Sequence, residues 1–172
     1  LVDHEAYAVS TRIGNKYFDK MMLKYRTKYG GQFVTPRMAR RTYEQNSKNG
    51  ILALNALVSD QSPQLSKTHY WAPFLNVKVP VHVGAEQIAK KLDQSVVFYE
   101  VSKVKRGHYK CTFRVLAERP NEFADYQITD MFLREVEKQI QKAPQYYFWT
   151  HKRFKHMDKF DEFLEQNLSY TF

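Results

Sequence analysis

The end of the sequence holds its densest group of side chains suited to acid–base or anion-binding chemistry. The residues from 143 to 155 read APQYYFWTHKRFK and include His151, Lys152, Arg153 and Lys155. An imidazole exchanges protons near neutral pH, and Arg and Lys bind phosphate through charge-assisted hydrogen bonds. We therefore take these four as candidate substrate-binding residues; a solvated basic turn after an aromatic core segment is the alternative.

A carboxylate and an amide follow the most apolar run of the chain. Ile51 to Val58 is almost continuously apolar, which predicts a central strand covered on both faces. In open α/β sheets, ligands bind beyond the carboxyl ends of such strands. Asp60 is therefore a candidate supporting catalytic residue and Gln61 a candidate substrate-binding residue. The alternative for Asp60 is a helix cap or a turn.

Three arginines lie on a helix that Thr35-Pro36 opens, because a cap residue followed by Pro at the first position is typical of a helix start. They are Arg37, Arg40 and Arg41. A guanidinium makes bidentate contacts with phosphate, so all three are candidate substrate-binding residues, and the spacing does not choose among them. The alternative is a solvated helix face.

Four lysines recur at intervals of four residues on a helix predicted over 16–29: Lys16, Lys20, Lys24 and Lys28. Its apolar residues fall on another side: Phe18, Met21, Met22, Tyr25 and Tyr29. A basic amphipathic helix of this kind can lie on an anionic bilayer or receive an acidic protein. We predict a membrane or carrier-protein surface; the alternative packs the apolar side inward and leaves the lysines in water.

Cysteine and the remaining histidines offer little further chemistry. Cys111 is the only cysteine, so an internal disulfide and a Cys-based zinc site are both excluded, and a reducing compartment is favoured. It lies in an alternating segment and is predicted to be a small core residue. His69 and His82 are interpreted as ordinary surface or core histidines. The sequence gives no reason to expect a metal ion or a cofactor.

The elements that would position these residues alternate between strand and helix, so we predict an α/β fold. It would be a single domain over residues 1–172 in which helices flank a mixed sheet. A segment from Tyr70 to Val83 is left as irregular or short strands. The other predicted strands are Ala6–Ile13 and a hairpin of Val96–Lys105 with Tyr109–Ala117. Two further helices are predicted over Gly84–Leu92 and Phe160–Leu168, and a third contains Ile128, Phe132, Val136 and Ile140.

The composition indicates a folded basic protein. The 172 residues are 43% hydrophobic and carry a net charge of +9, which excludes disorder and favours polyanionic partners. No apolar stretch reaches the ~18 residues of a membrane span, and no signal peptide is evident. Because the chain begins at Leu1 and enters strand-like sequence at once, we expect a soluble fragment of a longer protein.

The closing run resembles the last conserved block of the late acyltransferases of bacterial lipid A biosynthesis, a "PEQY-aromatic-W-x-H-R-R-F-K" string after a long helix. Further resemblance lies upstream, in the family's order, from about residue 6 to 157. Arg12, Asn15, Phe18 and Asp19 resemble the family's "Y-R-x-x-x-N-x-x-apolar-D" segment, and Val58–Gln61 resembles its "strand then D-Q/H" block. Trp71–Phe74 with Gly84 resembles its "F-x-P-F…G" segment. Ala89–Phe98 resembles its "helix, then apolar strand" block.

The resemblance implies a glycerolipid-acyltransferase-like fold and transfer of a fatty acyl chain from acyl carrier protein to a hydroxyl of a lipid A precursor or related glycolipid. It also implies a parent protein on the cytoplasmic face of the bacterial inner membrane. Family chemistry depends on an H-x-x-x-x-D/E pair, in which His is the general base and the carboxylate orients it.

That pair should precede Arg12, and no match stands there, since His4 is followed five residues later by Val9. His156 and Asp161 have the spacing but lie beyond the closing block, and five residues on a helix do not place two side chains on one face. We therefore expect the dyad in a missing upstream part, or lost, and expect no activity from these residues alone.

Two other functions stay open. One is a non-catalytic lipid- or carrier-protein-binding domain of the same fold. The other is a nucleic-acid-binding module, because basic charge and aromatic rings can supply backbone contacts and base stacking. No recognisable RNA- or DNA-binding signature occurs, so nucleic acid is not an expected partner.

Overall fold

The computed structural model describes residues 4–168, with side chains up to residue 165. It divides into two compact units, one up to Val58 and one from Ser59 onward. Helices and strands occur in both units, so the predicted α/β class is confirmed. Parallel and antiparallel pairing both occur, in separate sheets rather than in one. The sequence predicts a single domain, and the division into two compact units does not test that prediction.

The first unit is a small parallel sheet with connecting helices, and its central strand is β1. The strand order is β2-β1-β3. After β1 the chain forms β2 at one edge of the sheet, and it then crosses the sheet to form β3 at the other edge. The elements are β1 (Glu5–Val9), α1 (Lys16–Arg26), β2 (Gln32–Val34), α2 (Pro36–Lys48) and β3 (Ala53–Ala56).

Local signals account for both helices of this unit. The side chain of Asn15 caps α1 by accepting hydrogen bonds from the backbone N–H groups of Tyr17 and Phe18, at 3.0 and 3.1 Å. Helix α2 starts at Pro36, as predicted, and packs through Tyr43, which is fully buried. The Tyr43 ring meets Tyr7 of β1 edge-on with centroids 6.3 Å apart, and this contact joins helix to sheet.

The prediction of a central strand over 51–58 is wrong. Strand β3 covers only four of those residues and is an edge strand of the three-stranded sheet. Leu52, Leu54 and Val58 are 61%, 50% and 78% exposed, so the face they share is uncovered, and the residues that alternate with them are only half-buried. An apolar run shows that a segment can be buried, but it does not say which elements cover it.

The first strand and helix are also shorter than predicted. Strand β1 ends at Val9 rather than Ile13, and α1 ends at Arg26, which leaves Lys28 and Tyr29 beyond it. No residue of α1 is buried, and Tyr25 is 65% exposed. The apolar side of α1 therefore does not pack into a core in the described part of the chain.

The second unit is built on two antiparallel hairpins and a long helix. Its core contains residues from both hairpins and from that helix: Ala72, Phe74, Val79, Val81, Val83, Phe98, Leu133, Val136 and Ile140. The elements are β4 (Tyr70–Phe74), β5 (Val77–Val81), α3 (Gly84–Leu92), β6 (Val96–Lys105), β7 (His108–Ala117), α4 (Gln127–Lys142) and α5 (Phe160–Leu168).

Several predictions for this unit are confirmed. Helix α3, strand β6 and helix α5 have the predicted bounds, and Ile128, Val136 and Ile140 form the buried side of α4. The segment left as irregular or short strands is the β4–β5 hairpin.

Two buried carboxylates tie α4 to its neighbours. Glu86 of α3 accepts hydrogen bonds from the backbone N–H groups of Tyr126 and Thr129 and from the Thr129 hydroxyl, at 2.7 to 2.8 Å. It thereby satisfies donors at the start of α4, where the helix dipole also favours negative charge. Glu137 accepts the backbone N–H of Leu75 in the turn of the β4–β5 hairpin. Both side chains act as intramolecular anchors.

The prediction that Cys111 is a core residue is wrong, because Cys111 is exposed. It lies in β7 opposite Val101, and its sulfur is 3.3 Å from the Tyr99 hydroxyl. The neighbouring Tyr99 and Phe113 are 54% and 61% exposed. The alternation of the strand is real, but this face of the hairpin is not the one that carries core residues such as Phe98.

No helix within residues 4–168 combines the length and the apolar character needed to cross a bilayer.

Candidate functional site

A cationic cleft lies in the first unit beyond the carboxyl ends of β1 and β2. It has a volume of about 380 Å³. Ligands of open α/β sheets bind beyond the carboxyl ends of the strands, which is where this cleft lies, although the reversal of strand order falls between β1 and β3 rather than between β1 and β2. Four cationic side chains line the cleft, together with one carboxylate: Arg12, Lys16, Lys20, Arg26 and Asp19.

The single carboxylate of the cleft is engaged in the local backbone. Asp19 accepts a hydrogen bond from the N–H of Ile13 at 2.9 Å, which fixes the loop between β1 and α1. Arg26 donates to the Ser10 hydroxyl at 2.7 Å and lies over the ring of Phe33, 5.7 Å from its centroid. The cleft therefore presents an excess of positive charge, which suits an anionic ligand group.

A second cluster of ionisable groups lies in the other unit, around Arg153. This arginine is only 2% exposed. Its Nη1 donates to the carbonyl of Pro80 at 2.8 Å and to the hydroxyl of Ser62 at 3.2 Å. Its guanidinium carbon is 5.2 Å from the centroid of the Phe74 ring. Burial lowers the pKa of Arg153, and Tyr147 and Asp60 oppose that shift.

His151 lies beside Arg153 as a hydrogen-bond acceptor. Its Nε2 accepts the backbone N–H of Ser62 at 2.9 Å, an interaction that requires the neutral ring. Desolvation lowers the pKa of His151, the cations Lys155 and Arg153 lower it further, and Asp60 opposes them. His151 is therefore held neutral by contact and by charge alike.

Asp60 has a half-buried carboxylate in the same cluster. Its Oδ1 is buried and has no hydrogen-bond partner among the residues that the structure describes. Its backbone carbonyl accepts the Tyr147 hydroxyl at 3.4 Å. Asp60 acts electrostatically on four neighbours, namely His82, Tyr147, His151 and Arg153. Burial raises the pKa of Tyr147 and lowers that of His82.

The structure brings some predicted site residues together and leaves others apart. Asp60, His151 and Arg153 meet in the cluster of the second unit, whereas Gln61, Lys152 and Lys155 are exposed at its edge. Lys16 and Lys20 line the cleft of the first unit. The remaining predicted residues are exposed in the first unit outside that cleft: Lys24, Lys28, Arg37, Arg40 and Arg41, of which Arg40 pairs with Glu44 at 3.0 Å.

Sequence reasoning missed two members of the Arg153 cluster: Ser62 and Tyr147. They lie two residues from Asp60 and four residues from His151, so proximity to these candidates was the available signal. His82, interpreted as an ordinary surface or core histidine, is exposed. The pair with the family's dyad spacing, His156 and Asp161, shares no hydrogen bond or ion pair among the described side chains. The described residues also contain no group of three or more His, Cys, Asp or Glu arranged to hold a metal ion.

The first unit is thus a parallel sheet with a cationic cleft at the carboxyl ends of its strands, and the excess of positive charge there suits an anionic ligand group. The chain matches the model of a family described as bacterial lipid A biosynthesis acyltransferase over residues 3–156. It belongs to that family, and the resemblance noted in the sequence is thereby confirmed. A comparison with curated proteins found no significant match.

Proposed function

We propose that this chain carries the ligand-binding part of an acyl transfer from acyl carrier protein to a hydroxyl of a lipid A precursor or related glycolipid. Membership of the lipid A biosynthesis acyltransferase family is the observation that carries the proposal. In such a step, the hydroxyl oxygen bonds to the thioester carbonyl carbon and the C–S bond breaks. The hydroxyl proton passes to a general base and finally to the departing thiolate.

The cationic cleft of the first unit supports an acceptor with phosphate groups. Arg12 and Arg26 offer planar guanidinium donors, and Lys16 and Lys20 add charge from α1. Since Asp19 is engaged by Ile13, the lining presents more positive than negative charge to a ligand. We assign the phosphate-bearing headgroup to this cleft, with Arg37, Arg40 and Arg41 as exposed candidates nearby in sequence.

The exposed surface of α1 supports a membrane or carrier-protein contact. Lys20 and Lys24 are exposed beside apolar side chains such as Leu23 and Tyr25, which are 49% and 65% exposed. Lysines with exposed aromatic and aliphatic neighbours favour an anionic bilayer surface, and lysines alone favour an acidic protein. This matches the proposed place of the parent protein on the cytoplasmic face of the inner membrane.

The general base is proposed to lie outside these 172 residues, because no His-x4-Asp/Glu pair precedes Arg12. Asp60 is kept as a supporting residue of the reaction. It has a buried carboxylate oxygen without a described partner, and such an oxygen is available to orient another group.

Ligand binding tests the proposal directly. Titration calorimetry would compare a bis-phosphorylated lipid A precursor in detergent micelles with its enzymatically dephosphorylated form. We expect at least tenfold weaker binding of the dephosphorylated lipid, and a similar loss for Arg12→Gln with the phosphorylated lipid. Arg106→Gln, in the turn of the β6–β7 hairpin, removes the same charge elsewhere and serves as the control. Equal binding of both lipids would contradict the assignment.

A further inference from the structure

Two segments about 90 residues apart in sequence are joined by four hydrogen bonds in the second unit. One is the loop after Ser59, and the other is the end of the aromatic and basic run. Ser62 provides three of the bonds: its N–H donates to His151 Nε2 at 2.9 Å, its hydroxyl donates to the Arg153 carbonyl at 2.9 Å, and it accepts from Arg153 Nη1 at 3.2 Å. The fourth joins the Tyr147 hydroxyl to the Asp60 carbonyl.

The Arg153 side chain extends this connection into the core. Its Nη1 also donates to the carbonyl of Pro80 in β5, and its guanidinium lies over the Phe74 ring of β4. Pro80 and Phe74 are fully buried. One side chain therefore links the loop to the buried residues of the β4–β5 hairpin.

A role as a phosphate ligand fits Arg153 poorly. Only 2% of the residue is exposed, and its Nη1 is already used twice within the protein. The neighbouring Lys152 and Lys155 are exposed instead. Its Nε and Nη2 have no hydrogen-bond partner among the described residues, but both atoms are buried and therefore closed to a ligand from solvent.

We propose that Arg153 is a positioning residue: it fixes the 59–63 loop against the β4–β5 hairpin, so that the Asp60 carboxylate and the His151 ring keep one orientation. We call the contacts of Arg153 with Ser62 and Pro80 the clamp. The role of Asp60 in acyl transfer rests on the proposed function, whereas the existence of the clamp does not. Arg153 acts through Ser62 and His151 and does not touch the substrate.

The proposal predicts that weakening the clamp frees the loop before it unfolds the unit. Hydrogen exchange followed by NMR would measure the Ser62 amide against the amide of Val79 in β5, which reports general unfolding. In Arg153→Ala we expect Ser62 to exchange at least tenfold faster relative to Val79. We also expect the pKa of His151, which is lowered in the unmodified chain, to rise toward the ordinary histidine value. Lys152→Ala, next in sequence and exposed, should change neither quantity.

Two further variants keep the test decisive if Arg153→Ala folds poorly. Ser62→Ala removes both hydroxyl contacts but leaves Arg153 packed, and it should change the Ser62-site exchange and the His151 titration in the same direction by a smaller amount. Arg153→Lys retains a buried cation without a planar fork, so it should restore the exchange only in part.

Ligand binding separates this proposal from the previous one. If Arg153→Ala and Ser62→Ala leave amide exchange and the His151 titration unchanged, the clamp is wrong. If Arg153→Ala leaves the Ser62 amide exchange unchanged but abolishes binding of the phosphorylated lipid, Arg153 binds the phosphate instead of positioning the loop. Failure of lipid binding in the unmodified chain would count against the proposed function alone.

Discussion

The backbone N–H of Ser62 donates to Nε2 of His151 across 2.9 Å, although the two residues are 89 positions apart in sequence. Since Nε2 must be unprotonated to accept this bond, the tautomer of the ring is defined, with its proton on Nδ1. A histidine held in this way couples the shape of the Asp60 loop to pH.

Stability should rise with pH in the mildly acidic range. The pKa of His151 is lowered in the folded chain by desolvation, by Lys155 and by Arg153, so the unfolded chain binds the proton more readily. The contribution is complete above the ordinary histidine pKa of about 6.5 and is lost as pH falls through the lower folded pKa. Urea unfolding at several pH values from 5 to 7.5 would measure this. His151→Gln can accept the Ser62 N–H without titrating and should reduce the dependence. A part should remain, because the pKa of His82 is lowered as well. Exposed His108→Gln should leave the dependence unchanged, and equal slopes in all three chains would refute the coupling.

Replacing the buried carboxylate at the start of α4 should destabilise the second unit. Glu86→Gln loses charge-assisted bonds to Tyr126 and Thr129 and turns an amide N–H toward donors, at a cost of about 2 kcal/mol. Chemical denaturation would measure it. Glu118→Gln removes an exposed carboxylate and should stay within ~0.5 kcal/mol. A Glu86→Gln variant as stable as the unmodified chain would show that Glu86 contributes no net capping energy.

The lysines of α1 should contribute to binding of anionic vesicles. Removing both charges in Lys20→Gln/Lys24→Gln should weaken binding to vesicles with 30% phosphatidylglycerol by ~2 kcal/mol, or roughly 30-fold, at low salt. Vesicle sedimentation would measure the partition coefficient. The double variant Lys48→Gln/Lys67→Gln makes the same change in net charge at exposed positions outside α1. Equal losses in the two double variants would point to net charge rather than to this helix.

These 172 residues alone should not transfer acyl groups. No His-x4-Asp/Glu pair precedes Arg12, and His156 and Asp161, which have the spacing, share no hydrogen bond or ion pair in the described part of the chain. Release of free carrier-protein thiol, with a lipid A precursor present, would be followed over hours. If the chain releases thiol and His156→Ala abolishes that release, His156 and Asp161 are the catalytic dyad and its expected place upstream is wrong.

Local pattern accounted for most elements of the second unit. The hairpin of β6 and β7 was predictable because two alternating runs flank Gly107, whose φ of +77° suits a turn. Burial was less predictable, as Cys111 and β3 demonstrate. Alternation separates two faces of a strand, and an apolar run marks a segment able to be buried, but which face is covered depends on elements distant in sequence.

The site was predictable by residue type and not by arrangement. His151 and Arg153 were chosen for the chemistry of their side chains, yet their inward position depends on Ser62 and Pro80, more than 70 residues away. Arginine patterns alone favour the surface, because an isolated guanidinium is costly to bury. Only the tertiary contacts distinguish the buried Arg153 from its exposed neighbour Lys152.

The exposed thiol of Cys111 gives this chain a single chemical handle. Since no other cysteine occurs in the sequence, a maleimide dye or a nitroxide would attach at one site without any substitution. The site lies on β7, outside both the cationic cleft and the Arg153 cluster. Fluorescence anisotropy or spin-label mobility could thus follow the proposed docking on lipid or on carrier protein in real time, with the residues of the cleft and of α1 unaltered.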